Sequence, residues 1–103
     1  MKIYYVDIDG TICTITNGQY HKAQPLMDNI NKVNRLHDEG NTIIYWTARG
    51  SISNIDWLEV TKNQLDEWGV KYDDVRVGKP HYDYFICDKA TNSATFFSKI
   101  NGD

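Results

Sequence analysis

Ile3-Tyr4-Tyr5-Val6-Asp7-Ile8-Asp9-Gly10-Thr11 is the stretch that decides how this chain folds. A short apolar run rich in β-branched and aromatic side chains, closed by Asp and Gly, has the pattern of a buried strand over residues 2–8. Side chains alternate along a strand, so Asp7 and Asp9 project to one side while Ile8 points away, and Gly10 lets the backbone turn sharply beyond them. One carboxylate can attack while its neighbour moves a proton. Acids this close repel each other unless a cation lies between them, which predicts a divalent metal with oxygen ligands, magnesium by preference. The pair therefore suggests metal-assisted phosphoryl chemistry. A plain Asp-Gly turn is the alternative for the pentapeptide alone. An EF-hand is excluded, because that loop needs Gly at its sixth and Glu at its twelfth position, and counting from Asp7 these are Ile12 and Gly18.

Outward from this strand the chain alternates helical and extended patterns. Thr11 to Tyr20 reads as a small hairpin or flap turning at Asn17-Gly18, the favoured two-residue hairpin turn. Pro25, then Ile30, Val33, Asn34, Leu36 and His37 before Gly40, predict a crossover helix. Thr42 to Thr47 is the second strand, with Thr47 at its carboxyl end. Ile55, Leu58, Thr61 or Lys62, Leu65 and Trp68 mark an amphipathic helix from Asn54 to Trp68, halted at Gly69. Asp74 to Val77 and Tyr82 to Cys87 read as a third and a fourth strand, the latter ending at Asp88. Ala90 to Ile100 reads as a closing helix with Phe96, Phe97 and Ile100 on its apolar face. Such alternation predicts one domain over residues 1–103, a three-layer α/β/α Rossmann-like fold with a parallel sheet of about four strands covered on both faces. Ligands bind such sheets at the carboxyl ends of strands, where Asp7, Asp9, Thr47, Lys79 and Asp88 all fall.

Composition narrows the field. The chain has 103 residues, 41% hydrophobic and 13% aromatic, enough for a single folded core. A net charge of −3 gives no electrostatic reason to expect nucleic acid, since phosphate backbones demand clustered Lys and Arg. Cys13 and Cys87 lack metal-type spacing and are too few for a disulfide scaffold, so they read as thiols of a cytoplasmic protein, both buried. The apolar run ending at Asp7 is too short for a signal-peptide core or a membrane span, so neither secretion nor membrane insertion is expected.

Four separated motifs, in order, resemble the haloacid dehalogenase superfamily of aspartate-nucleophile phosphatases: Asp7-Ile8-Asp9-Gly10-Thr11, Trp46-Thr47-Ala48-Arg49, Gly78-Lys79-Pro80 and Phe85-Ile86-Cys87-Asp88-Lys89-Ala90. The resemblance covers almost the whole chain and implies an aspartyl-phosphate on Asp7, with Asp9 as general acid and base. It makes Thr47 a hydrogen-bond donor to the phosphoryl group and Lys79 its fixed positive charge, with Gly10, Ala48 and Arg49 completing the phosphate and substrate contacts. Asp88 would hold magnesium together with Asp7 and the backbone carbonyl of Asp9. Small relatives often carry two consecutive acids in the fourth motif; here the first is Cys87, which implies weaker metal binding. No stretch between motifs is long enough for the cap domain of larger members, leaving substrate choice to the flap, to Tyr20, His21, Arg49 and His81, or to another subunit of a homo-oligomer. The chain looks most like the small uncapped phosphatases of capsule and surface-polysaccharide pathways, which implies a sugar phosphate.

Each residue also has a plainer reading. Thr47 suits any strand, Lys79 any solvated loop, Asp88 the cap of the closing helix, and Arg49 a surface ion pair. Asp83 reads as structural. A nucleotide phosphatase, with Tyr20 or Trp46 as stacking surfaces, is the alternative substrate class. A non-catalytic module binding phosphate and magnesium is the alternative to an enzyme. A receiver domain is disfavoured, because the third strand ends at Val77-Gly78 without an acceptor Asp.

Overall fold

The computed structural model describes residues 1–50 and 56–100. Its sheet has three parallel strands, β1 (Ile3–Val6), β2 (Thr42–Trp46) and β3 (Asp74–Arg76), in the order β1-β2-β3. The register pairs Tyr4 with Ile43, Val6 with Tyr45 and Tyr45 with Val75. Among the described residues three α-helices accompany the sheet: α1 (Met27–Asp38), α2 (Leu58–Glu67) and α3 (Ser93–Lys99). Asn54 and Ile55, where the second helix was expected to begin, lie outside the described residues.

Both crossover helices stop by the same device. At the end of α1 the Gly40 and Asn41 amides donate to the His37 and Leu36 carbonyls; at the end of α2 the Gly69 and Val70 amides donate to those of Asp66 and Leu65. These are Schellman closures, and at α2 the accompanying apolar contact joins two buried residues, Leu65 and Val70. Asn41 then bonds the backbone amide of Lys2, setting the start of β1 beside β2.

Strands added in one direction through right-handed crossovers place their helices on one face. The buried cluster accordingly joins Ile43 and Tyr45 of β2, Val75 of β3, Ile30 and Val33 of α1, Leu65 of α2 and Phe97 of α3, with Tyr4 and Val6 packed against it. The opposite face carries Ile3, Tyr5, Ile44, Trp46 and Arg76, of which Ile3 and Tyr5 are 68% and 55% exposed. Among the described residues this is a small α/β arrangement compatible with a Rossmann-like fold, with one helical layer where two were expected.

The fourth strand is the main departure. Tyr82 to Cys87 forms no strand, and every residue from His81 to Ala90 is exposed. No neighbouring strand pairs with this run, and among the described residues β1 keeps an unpaired edge. The closing helix is also shorter than expected. It starts at Ser93 because the Asn92 carbonyl oxygen of the side chain accepts from the Ala94 and Thr95 amides, so Asn92 and not Asp88 is its cap.

Candidate active site

The site is built where the three strands end. Directly after β1 the Ile8 carbonyl accepts from the Thr11 and Ile12 amides, folding the chain into a tight turn that leaves Ile8 in the core and the two carboxylates outside it. Gly10 has φ +82°, which favours glycine, and a Cβ there would stand 3.1 Å from Ile15 Cδ1, so that side chain would have to give slightly. Its N–H donates to the Cys13 carbonyl at 2.8 Å, which makes Gly10 the hinge of the turn and commits that donor within the protein.

The flap has the expected tip and an unexpected body. Asn17 and Gly18 both have positive φ, and the Gln19 amide bonds the Thr16 carbonyl across the turn. Its arms meet only at isolated bridges, with Thr14 bonded to Gln24 and the Leu26 amide to the Ile12 carbonyl, and the returning arm contains a short 3₁₀ turn at Tyr20–Lys22. Asn29 of α1 donates to the Thr11 carbonyl and fixes the base of the flap to the helix layer.

From the end of β2, Thr47 is buried and accepts the Arg49 amide at Oγ1 (3.1 Å). The backbone of Thr47 is clamped on both sides: its amide donates to the Arg76 carbonyl, and its carbonyl accepts the Lys79 amide at 3.1 Å. The third motif is thereby held against the second. Lys79 Nζ lies 3.4 Å from Asp7 Oδ1 and 5.5 Å from the centre of the Tyr82 ring. Asp7, Asp9, Thr47 and Lys79, far apart in sequence, therefore meet at one end of the sheet.

Arg49 departs from expectation. It is 2% exposed and forms a two-pronged ion pair with Asp9, Nε to Oδ2 and Nη2 to Oδ1, both at 2.9 Å. Nη1 donates to Thr61 Oγ1 at 3.1 Å and to Gln64 Oε1 at 2.7 Å, and Nη2 also faces Cys13 Sγ at 3.8 Å. All five N–H groups of the guanidinium are thus engaged within the protein, and the Tyr20 ring covers it at 4.6 Å. The Arg49 ion pair is thus in the interior and not at the surface. Thr61 and Gln64 are site residues that sequence reasoning missed; their one signal is that polar side chains three positions apart share the inward face that carries Leu58 and Leu65.

Cys13 is buried beside the same pair, its Sγ 3.5 Å from Asp9 Oδ1. Burial foremost, then the Asp9 charge, push its thiol up to about 12. Cys87 is exposed, contrary to the expectation of two buried thiols.

The carboxylates have the hard oxygen donors magnesium prefers, and Asp7 is open enough to offer one. Among the described residues no three His, Cys, Asp or Glu side chains converge into a metal-binding group, so Asp88 is not brought to Asp7 and Asp9. The repulsion that predicted a cation is met here by two protein cations, Arg49 at Asp9 and Lys79 at Asp7. A cavity of about 970 Å³ runs along the unpaired edge of β1, and Asp7, Lys79, Cys87 and Lys89 all line it. The fourth motif therefore borders the space into which Asp7 opens, without delivering its acid.

No family model matches the chain, and no curated protein does. A crystal structure of a target protein from Vibrio cholerae matches it with a TM-score of 0.86 at 31% identity, over 98% of this chain and 90% of that one. The chain belongs to the family of that protein. The kinship covers nearly the whole chain and carries no activity with it. Among the described residues no helix is long and apolar enough to cross a membrane.

Proposed function

We propose that this protein is a magnesium-dependent phosphatase of the haloacid dehalogenase type, in its cap-free form, that hydrolyses a small phosphomonoester in the cytoplasm. The reading is carried by one observation: Asp7, Asp9, Thr47 and Lys79 come together from the ends of three parallel strands. In the first step an Asp7 carboxylate oxygen bonds to phosphorus as the bond to the leaving oxygen breaks, and Asp9 gives that oxygen its proton. In the second, water attacks phosphorus, Asp9 takes a proton from it, and the Asp7–phosphorus bond breaks to release phosphate. Arg49 holds both Asp9 oxygens, and Oδ2, which accepts only from Nε, keeps a second lone pair at which a proton can be carried. Thr47 accepts at its hydroxyl from Arg49, which leaves its single O–H to donate to the phosphoryl group. Lys79 provides fixed positive charge beside the attacking carboxylate. Asp7 and the Asp9 carbonyl would hold magnesium, with Asp88 joining them only if the 81–90 run closes on the β1 edge, and the ion would supply charge screening for the approach of one anion to another.

A sugar phosphate is the substrate class implied by the resemblance to surface-polysaccharide phosphatases. Tyr20 is a poor platform for a nucleotide base, having one face under Arg49 and an edge-on contact with Trp57 at 4.9 Å. The exposed position of Asp88 favours a second reading, a non-catalytic module that binds phosphate. Hydrolysis of a generic aryl phosphate separates the two. Turnover with magnesium, its loss in excess chelator and an acid-quenched phosphoenzyme that disappears in Asp7→Asn are expected; binding of inorganic phosphate with no turnover would leave the non-catalytic module.

A further inference from the structure

Gln64 stands in helix α2, outside all four motifs, yet its side chain bridges Arg49 and the flap. Its Oε1 accepts from Arg49 Nη1 at 2.7 Å, and its Nε2 donates to the Tyr20 carbonyl at 2.6 Å. Only this orientation of the amide satisfies both partners, because a guanidinium can only donate and a carbonyl can only accept. The Tyr20 carbonyl also receives the Ala23 amide, so Gln64 is tied to the short turn that returns the flap. The same residue, Tyr20, lays its ring over the guanidinium. A closed circuit results: Asp9 to Arg49, Arg49 to Gln64, Gln64 to the Tyr20 backbone, and the Tyr20 ring back to Arg49.

The circuit has a mechanical consequence. An arginine fork can meet a carboxylate in two-pronged fashion only within a narrow range of angles, and the guanidinium has three rigid edges. Asp9 uses the Nε/Nη2 edge, and Thr61 and Gln64 take the two hydrogens of Nη1, so these two α2 side chains determine how the fork presents itself to Asp9. We propose that Gln64 is a positioning residue, which aims the Asp9 carboxylate by holding Arg49 and sets the flap at Tyr20 in the same register. This rests on the phosphatase reading for its kinetic consequence and on geometry alone for its structural one.

The test compares Gln64→Leu, which loses both bonds, with Gln64→Glu, which keeps an acceptor for Arg49 and turns an oxygen against the Tyr20 carbonyl. Two readouts are followed: kcat and KM for an aryl phosphate, and NMR exchange of the Arg49 Nε–H and of the Ala23 amide. Gln64→Leu is expected to lower kcat by up to ~10²-fold, the scale of a small misplacement of a reacting group, with KM nearly unchanged. It should also speed exchange at both the Arg49 Nε–H and the Ala23 amide. Gln64→Glu is expected to keep the Arg49 Nε–H slow and to recover most of kcat while the Ala23 amide stays fast. A lower melting temperature with kcat and the Arg49 exchange unchanged in Gln64→Leu would make the residue merely structural and overturn the proposal. Should the wild-type protein show no turnover, the phosphatase reading falls, and an unchanged Arg49 Nε–H in Gln64→Leu still decides against the positioning role.

Discussion

Arg49 is buried with every N–H engaged, whereas Asp88, no less polar and no less expected in the site, sits in a run from His81 to Ala90 in which every residue is exposed. The two regions differ in what holds them. Around Arg49 the carboxyl ends of β1 and β2, the flap and α2 each contribute a partner, so that moving any one breaks a charged contact. Around Asp88 the contact among the described residues is local, a thiol from the adjacent Cys87. A motif becomes a site when elements distant in sequence close on it, and a strand that finds no neighbour leaves its motif outside.

The sharpest way to test the strand-end region is at its nucleophile. Asp7→Asn is expected to reduce aryl phosphate turnover by ~10³-fold or more, as removal of a nucleophile does, with the melting temperature within a degree or two of wild type. Retention of a tenth of the activity would end the covalent mechanism.

Stability should divide the regions in the same way. Arg49→Met strands the Asp9 carboxylate without its partner and is expected to cost ~3 kcal/mol in urea unfolding. Asp88→Asn, in the exposed run, should stay within ~0.5 kcal/mol. Equal losses at the two positions would erase the contrast.

Magnesium offers a subtler comparison. Asp88→Ala is expected to raise the magnesium concentration needed for half-maximal turnover by ~10-fold, and Cys87→Asp to lower it by a similar factor. Both effects require the 81–90 run to approach the β1 edge along the cavity it already lines. Amides of residues 82–87 should then gain protection from hydrogen exchange when magnesium is added. If neither substitution shifts the requirement, Asp88 is no ligand.

The two thiols give a contrast that needs no substrate. Cys87 should react with a thiol reagent at neutral pH while Cys13 does so only on unfolding. Because burial raises Cys13 from its ordinary 9.0, the unfolded chain loses that proton first as pH climbs. Its contribution to stability is full below pH 9.0 and is lost between there and about 12. Cys13→Ala should flatten the alkaline limb of the stability curve; an unaltered limb would place the cause elsewhere.

The smallest effect belongs to the core. Tyr45 is buried edge-on to Tyr72, and among the described residues its hydroxyl has no hydrogen-bond partner. Tyr45→Phe removes an unsatisfied polar atom and should leave stability unchanged or raise it by ~1 kcal/mol. A clear loss would reveal a partner for that hydroxyl.

Much of this protein was legible along the chain because the physics involved is local. Alternation and β-branching placed β1, β2 and β3 within a residue or two, and the Gly40 and Gly69 stops marked the ends of both crossover helices. Carboxylates at the end of β1, Thr47 at the end of β2 and Lys79 beyond β3 follow from the same reading, since parallel strands must end on one side. What tertiary structure alone decided is which charge neutralises which. Lys79 went to Asp7, Arg49 went inward to Asp9, and Thr61 and Gln64 of α2 were recruited to hold it. It also decided that Tyr82 to Cys87 stays unpaired, for a strand has no meaning without the edge it meets. Ion pairing and sheet pairing are settled by distances between elements remote in sequence, and no window along the chain contains those distances.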